Sequence, residues 1–420
     1  MATARGVRTS YQVHLDAREL GVQAMVGTLW RHESRTDVPA AFEYSHAWLQ
    51  DERAFVLDPR LDLYGGEQHP AEPATAFGVF MDSAPDRWGR VLLERRESLA
   101  AKREGRKPRR LQDIDFLLGV HDTTRMGALR LRATDDGPSL DNHELGAPPV
   151  TDLGALARAS RALEDSNGED LPGLEQWLAM LIAPGTSLGG SRPKANFVEA
   201  DGSLWIAKFP AKDDRHDVGG WELLTRALAH NAGVWMPEAR GLGLTDQFVT
   251  YCSKRFDRDG DSRRMFSSAM TLLEYTDGKN DASYLDLAQF ISDEGASGHV
   301  DADLAQLFRR LLFNIRIGNT DDHLRNHGFI RNASGWRLAP AFDINPNPHK
   351  TQHTLSIDGT TAEPDISAAL ECADFYRLTA AEAEQVLEEV DAAVKPWRDE
   401  AAKQGLPRSD ITLMERVIAL

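Results

Sequence analysis

The feature that most limits what this chain can fold into is a helix-period stripe that runs straight into a polar loop. Leu304, Leu307, Phe308, Leu311, Leu312 and Ile315 recur at i, i+3, i+4, i+7 spacing, which marks a helix buried along one face. The stripe feeds into Gly318-Asn319-Thr320-Asp321-Asp322-His323-Leu324-Arg325-Asn326, and Phe342-Asp343 follows shortly downstream. An Asp, an Asn five residues later and a further Asp are therefore held in polar loops between apolar segments. Phosphoryl transfer needs such a set: one carboxylate to accept a hydroxyl proton, plus an amide oxygen and a second carboxylate to hold Mg²⁺.

Composition sets bounds on the rest. A chain of 420 residues has room for two or three domains, and 41% hydrophobic with 27% charged residues is ordinary for a globular protein. No run reaches the ~18 apolar residues of a membrane span, so no membrane partner is expected. The N-terminus lacks the apolar core of a secretory signal. Cys252 and Cys372 are too few for a disulfide framework or a cysteine zinc site, which fits a reducing cytoplasm. The formal charge, 48 − 65 = −17, argues against direct DNA binding without a basic partner or local patch. One such patch is Lys102, Arg103, Arg106, Lys107, Arg109 and Arg110, readable as a solvated loop or as a contact for nucleic acid or an acidic surface.

Three parts are expected. Residues 1–132 form a small α+β module, with strands at Phe42–Tyr44 and Arg53–Leu57 and a helix opened by Ala84-Pro85-Asp86-Arg87-Trp88-Gly89. Residues 133–149, rich in Asp, Gly, Pro and Asn, read as a hinge. Residues 150–258 read as a nucleotide-binding lobe. There, strands Lys194–Glu199 and Ser203–Phe209 flank the turn Ala200-Asp201-Gly202, a helix follows around Trp221, Leu224 and Leu228, and a strand lies at Phe248–Cys252. Residues 259–420 form a helical catalytic lobe whose last helices are Leu378–Val394 and Ser409–Leu420.

Asp321 is the candidate general base, and Asn326 and Asp343 are the candidate Mg²⁺ ligands. The Asp-x4-Asn step has the length found in the protein-kinase catalytic loop. Asp and Asn singly cap turns, so the combination carries the signal. Lys208 shares a face with Leu204 and Ile206 on an apolar strand, where an ammonium needs a partner; Glu222 on the next helix and nucleotide phosphates are the candidates. Thr186-Ser187-Leu188-Gly189-Gly190-Ser191-Arg192-Pro193-Lys194 supplies two glycines for close approach to phosphate, with Arg192 and Lys194 as charges. It is not a Walker A loop, because Ala195 follows the lysine. Lys254-Arg255-Phe256-Asp257 lies where a hinge would join two lobes. Backbone groups of Lys254 and Phe256 are placed to meet the adenine edge and Asp257 the ribose, or the segment is a plain strand-end charge cluster. His323 and Arg325 stand ready to neutralise a transferring phosphate.

Taken together these residues resemble the HipA family, the kinase toxins of HipBA-type toxin–antitoxin modules, over nearly the whole chain. Phe77-Gly78-Val79-Phe80 and Pro85-Asp86-Arg87-Trp88-Gly89-Arg90 match the family's N-terminal part. Thr186–Lys194 resembles its phosphate loop, Lys254–Arg258 its hinge, and Asn319–Asn326 with Phe342-Asp343 its catalytic and metal loops. The resemblance implies an α+β, two-lobed protein-kinase-like fold related to phosphoinositide kinases, with ATP and Mg²⁺ as cofactors. It implies serine/threonine phosphorylation of an aminoacyl-tRNA synthetase, leading to translation arrest and persistence. It implies a HipB-like helix-turn-helix antitoxin as partner, with operator DNA met only through that complex. It also implies autophosphorylation at Ser187, with Thr186 and Ser191 as neighbouring alternatives; the added ~1.5 to 2 negative charges should expel the loop from the ATP site. Arg192-Pro193 stands where the best-known toxin of the family carries a Gln-Glu pair before the loop lysine, which bears on target choice and on control by loop ejection.

Two other readings belong to different classes. One is a nucleotide-binding scaffold or co-repressor working with the antitoxin without significant kinase activity. The other is a small-molecule kinase, against which the N-terminal module speaks.

Overall fold

Val13, Leu15 and Ala17 are fully buried at alternate positions of strand β1 (Arg8–Ala17), the period-2 pattern of a strand with one face on a core. A turn at Gly21, φ 68°, leads into β2 (Val22–His32), which pairs antiparallel with β1. With β3 (Ala40–Tyr44) and β4 (Leu129–Arg132) these make a four-stranded sheet in the order β3-β2-β1-β4. Gly27 is required where β2 meets β3, since a Cβ there would lie 2.4 Å from the Glu43 carbonyl oxygen. The computed structural model describes residues 8–32, 40–71, 76–140, 146–165, 178, 181, 192–276, 278 and 281–418. The chain divides into two units, Met1–Ala207 with Asp257–Ser267, and Lys208–Phe256 with Ser268–Leu420.

In the first unit, the expected strand at Arg53–Leu57 is absent. Its backbone is already engaged: Ala54 N–H donates to the Asp51 carbonyl at 2.9 Å, and Leu57 N–H donates to the Tyr44 hydroxyl at 3.1 Å. The helix Arg87–Arg103 begins one step later than Pro85 suggested. Asp86 is its N-cap, accepting the Gly89 N–H at 2.9 Å, so Pro85 lies before the cap rather than in the first turn. Strands β5 (Lys194–Val198) and β6 (Leu204–Lys208) form the expected hairpin. Its turn closes through Glu199 N–H to the Ser203 carbonyl, with Gly202 at φ 84° and the Asp201 carboxylate accepting the Ser203 N–H.

In the second unit, the helix Val218–Asn231 buries Trp221, Leu224 and Leu228 as their spacing predicts. Strands β7 (Ala239–Leu242) and β8 (Thr250–Lys254) pair antiparallel, β8 starting two residues after the expected position. The stripe helix spans Val300–Ile317, with Leu304, Leu307, Phe308, Leu311, Leu312 and Ile315 all buried. Helices Ala380–Val394, Trp397–Lys403 and Arg408–Met414 close the chain, the last stopping short of the expected Leu420. The Trp221 and Trp397 rings, 6.0 Å apart, tie the first of these helices to the C-terminal ones. No helix among the described residues is long and apolar enough to cross a membrane.

The stripe helix ends at Gly318, which takes the left-handed conformation (φ 70°, ψ 34°) and turns the chain into the Asp321 loop. A Cβ at this position would also stand 2.7 Å from the Val417 carbonyl oxygen. Both the backbone strain and the close approach oppose any side chain. Gly318→Ala should therefore cost about 2 kcal/mol or more, read as a lower midpoint in urea unfolding at unchanged slope. A midpoint equal to wild type would show that neither constraint operates.

Candidate active site

The second unit brings together three charged groups that are far apart in sequence. Lys208 ends β6, Glu222 lies on the helix Val218–Asn231, and Asp343 follows the hairpin Gly328–Asn332/Gly335–Leu338. The Lys208 ammonium donates to Glu222 Oε1 at 2.5 Å and to Asp343 Oδ1 at 2.7 Å, and it lies 5.6 Å from the centre of the Tyr251 ring. Burial works against the lysine's charge, but Asp343 and Glu222 outweigh it and raise the pKa above its ordinary value.

Local sequence explains why the three meet. Asp217 caps the helix, accepting the Gly220 and Val249 N–H groups. Gly219 lets the helix start press on the backbone, because a Cβ there would be 2.1 Å from the Val249 carbonyl. Glu222 is thereby carried to the lysine. Asp343 itself has φ 58°, a left-handed conformation that a non-glycine residue seldom adopts and that often marks a functional position.

The loop after Gly318 supplies the remaining groups. Asp321 is exposed, with the Lys350 ammonium 3.6 Å from its Oδ1. Lys350 also donates to the Thr354 hydroxyl, and its carbonyl accepts the Thr320 hydroxyl at 3.1 Å. Asn326 ends a short 3₁₀ turn, Leu324–Asn326, and is buried. Its side-chain oxygen is buried with no hydrogen-bond partner, an arrangement that is costly unless a cation or donor completes it. An amide oxygen left open in this way, together with the Asp343 carboxylate, is the hard-oxygen donor set that Mg²⁺ prefers. His323 likewise has a buried, unpartnered Nδ1, whereas Arg325 is exposed.

The expected hinge divides. Lys254 closes β8 and donates its N–H to the Glu238 carbonyl at 2.8 Å, so that backbone donor is already taken and does not meet an adenine edge. The Phe256 ring stacks on Phe342 at 5.5 Å and 25°. Asp257, in the first unit, is fully buried and accepts from the Gly127 N–H at 2.8 Å and from Arg258 at 2.5 Å. That carboxylate is committed to holding a loop, which departs from the ribose role expected of it. Lys194 departs similarly: in the first unit it is buried and donates to Asp86 at 2.5 Å, rather than offering a free charge to phosphate. Arg192 is partly exposed. Thr186, Ser187, Gly189, Gly190 and Ser191 lie outside the described residues.

Sequence reasoning overlooked Lys350 and the residue after the candidate base, Asp322. Asp322 is buried, and its Oδ2 accepts from the Tyr284 hydroxyl, from Asn314 Nδ2 at 3.1 Å and from His327 Nε2 at 2.7 Å. Burial favours its neutral form, but His327 and these donors prevail and hold the carboxyl below its usual range. The doubled Asp321-Asp322 was the available signal, one exposed and the other buried.

Comparison with known proteins gives the family and the fold. The model of the HipA-like C-terminal domain family matches residues 186–397, just over half of the chain. A Haemophilus influenzae protein provisionally named a kinase is 32% identical over 199 residues, which are 41% of this chain and 56% of that protein. The chain thus spans little more than half the length of this curated relative. A chain of the Shewanella oneidensis MR-1 toxin–antitoxin complex of HipA, HipB and operator DNA superposes with a TM-score of 0.66 at 17% identity. That match covers 97% of this chain and 95% of the other, and it shows a shared fold. The class is a mixed α and β fold shared with that HipA chain. The chain belongs to the HipA family.

Removing the lysine tests the triad's energetics. Lys208→Met leaves Glu222 and Asp343 facing each other without the cation, and should cost about 3 kcal/mol at neutral pH. A folded pKa raised above the ordinary 10.5 means that the contribution is complete below that value and is lost only as the pH rises through the higher folded value. The stability gap between wild type and Lys208→Met should therefore stay level from about pH 8 to 10 and narrow at more alkaline pH. Denaturant titrations across that range check it; a gap that closes below about pH 9 contradicts the assignment.

Proposed function

We propose that the chain is an ATP- and Mg²⁺-dependent serine/threonine protein kinase, acting as the toxin of a HipBA-type type II toxin–antitoxin module. The observation that carries this reading is the Lys208 ammonium bonded to both Glu222 and Asp343, at 2.5 and 2.7 Å. In phosphoryl transfer of this class, a strand lysine paired with a helix glutamate orients the nucleotide phosphates, and the carboxylate beside it belongs to the metal loop.

Each residue then has a role. Lys208, fixed by Glu222, positions the phosphates; Arg192, Gly189 and Gly190 keep the phosphate-loop role expected of them. Lys194 is best assigned to anchoring the end of that loop, given its bond to Asp86. Phe256 and Phe342, stacked on each other, offer an apolar border to the base, next to Lys254. Asp321 accepts the proton of the substrate hydroxyl, and its exposure leaves it open to a protein substrate. Lys350 and Arg325 supply positive charge near the transferring group, and His323 supplies an imidazole nitrogen there. Mg²⁺ bound by Asn326 and Asp343 would neutralise negative charge on the phosphates.

The regulation and partners that accompany this reading are those of the family. They comprise autophosphorylation at Ser187, a HipB-like helix-turn-helix antitoxin, an aminoacyl-tRNA synthetase as substrate, and growth arrest or persistence as outcome. Operator DNA is met through the antitoxin, in keeping with a net charge of −17. A cytoplasmic setting and the division into 1–132, 150–258 and 259–420 belong to the same proposal.

The test is transfer of label from γ-labelled ATP to the full chain and to synthetases in a lysate, with growth followed in parallel. Asp321→Asn should lower labelling by about 10² to 10⁴ and relieve growth arrest, while leaving nucleotide binding intact. Labelling retained in Asp321→Asn would remove Asp321 as base. Growth arrest that persists in the variant without labelling would point to a nucleotide-binding scaffold.

A further inference from the structure

The loop between Asp321 and Asn326 has a second, inner pair of residues at the same separation. Asp322 follows the candidate base, His327 follows the candidate metal ligand, and the two are bonded at 2.7 Å. Asp321 is exposed whereas Asp322 is buried, so the chain alternates, presenting one carboxylate outward and turning the next into the core.

The inner carboxylate is held from several sides. Asn314, on the stripe helix Val300–Ile317, donates to it at 3.1 Å and also donates to the Tyr284 hydroxyl at 2.9 Å. Tyr284, the first residue of the helix Tyr284–Glu294, donates its hydroxyl to the same oxygen and sets its ring edge-on to His327 at 5.6 Å. Asn314 reaches the loop once more: its side-chain oxygen accepts Asn319 Nδ2 at 3.1 Å, and its carbonyl accepts the Asn319 N–H at 2.9 Å. All five of these residues are buried. Such a network is far more than is needed to satisfy one loop carboxylate, and it holds the residues that directly follow the two members of the functional pair.

We infer that the Asp322–His327 bond is the staple that fixes the spacing of Asp321 and Asn326, making Asp322 and His327 positioning residues for the outer pair. The inference rests on the kinase reading for the roles of Asp321 and Asn326, while the staple itself rests on the bonds just described. A loop free to open by an ångström would lose the alignment of base and metal ligand, which is worth about 10² in rate. Packing alone does not explain the arrangement, because an apolar pair would fill the same volume without a directional bond.

The experiment compares His327→Phe, which keeps a ring beside Tyr284 but removes the donor, with His327→Gln, which restores an amide donor. Both are made in the full chain, and three quantities are read: kcat for label transfer, ATP affinity at saturating Mg²⁺, and the Mg²⁺ concentration for half-maximal ATP binding. The staple predicts that His327→Phe lowers kcat about 100-fold and raises the half-maximal Mg²⁺ about tenfold, with ATP affinity at saturating Mg²⁺ within about threefold of wild type. His327→Gln should recover at least tenfold of the lost kcat. Wild-type kcat and Mg²⁺ dependence in His327→Phe overturns the inference, as does equal impairment of the two variants, which would mark a merely structural residue. Should His327→Phe not fold, Tyr284→Phe takes its place, with a loss of about tenfold in kcat supporting the staple and wild-type kcat opposing it. If the wild-type chain transfers no label at all, the kinase reading falls by itself, and the Mg²⁺ dependence of ATP binding in the same variants still decides the staple.

Discussion

A single, largely enclosed ammonium organises the candidate site. Lys208 sits between Glu222 and Asp343, drawn from a strand, a helix and a loop more than a hundred residues downstream. Two carboxylates brought that close would repel one another, and the ammonium between them offsets that repulsion. The cap of Asp217, the bare backbone at Gly219 and the left-handed φ of Asp343 are best understood as conditions for that meeting. The bond between Lys208 and Asp343 uses a carboxylate that the proposed metal would also engage, so under the kinase reading Asp343 would hold the cation and Lys208 the phosphates.

The buried stripe helix serves the same end from the other side. Its apolar face anchors it, Gly318 terminates it, and Asn314 on its last turn reaches back to Asn319 and Asp322. The helix thus both delivers the loop and fixes its shape. Asp321 is left exposed beside Lys350 while its neighbour is buried. Under the proposed kinase reading the adjacent carboxylates divide the work, the exposed one for chemistry and the buried one for architecture.

Much of this was legible in the sequence because it rests on short-range patterns. Helix periodicity located Val300–Ile317 and Val218–Asn231, and Asp201-Gly202 located the β5–β6 turn, because both signals lie within a dozen residues. The meeting of Lys208 with Glu222 was readable from the cost of leaving an ammonium on an apolar face. What escaped depends on partners far away in the chain. The β1–β2 hairpin went unread although Val13, Leu15 and Ala17 alternate with polar residues in the pattern of a strand. Arg53–Leu57 looked like a strand until Asp51 and Tyr44 took its amides. Asp257 and Lys194 looked functional because they are charged and sit in suggestive motifs. Their partners, Gly127 with Arg258 and Asp86, could not be inferred from neighbouring sequence. Asp322 was hidden for the same reason, its donors coming from Tyr284, Asn314 and His327.

The central claim is that Lys208, Asp343 and Asn326 together form a seat for metal-bound nucleotide. The most direct measurement is a crystal structure of the full chain grown with Mg²⁺ and a non-hydrolysable ATP analogue. The account predicts a cation touching the Asn326 side-chain oxygen and Asp343, with the Lys208 ammonium on the nucleotide phosphates and still bonded to Glu222. A nucleotide bound elsewhere, or a cation that leaves the Asn326 oxygen without a partner, would contradict it.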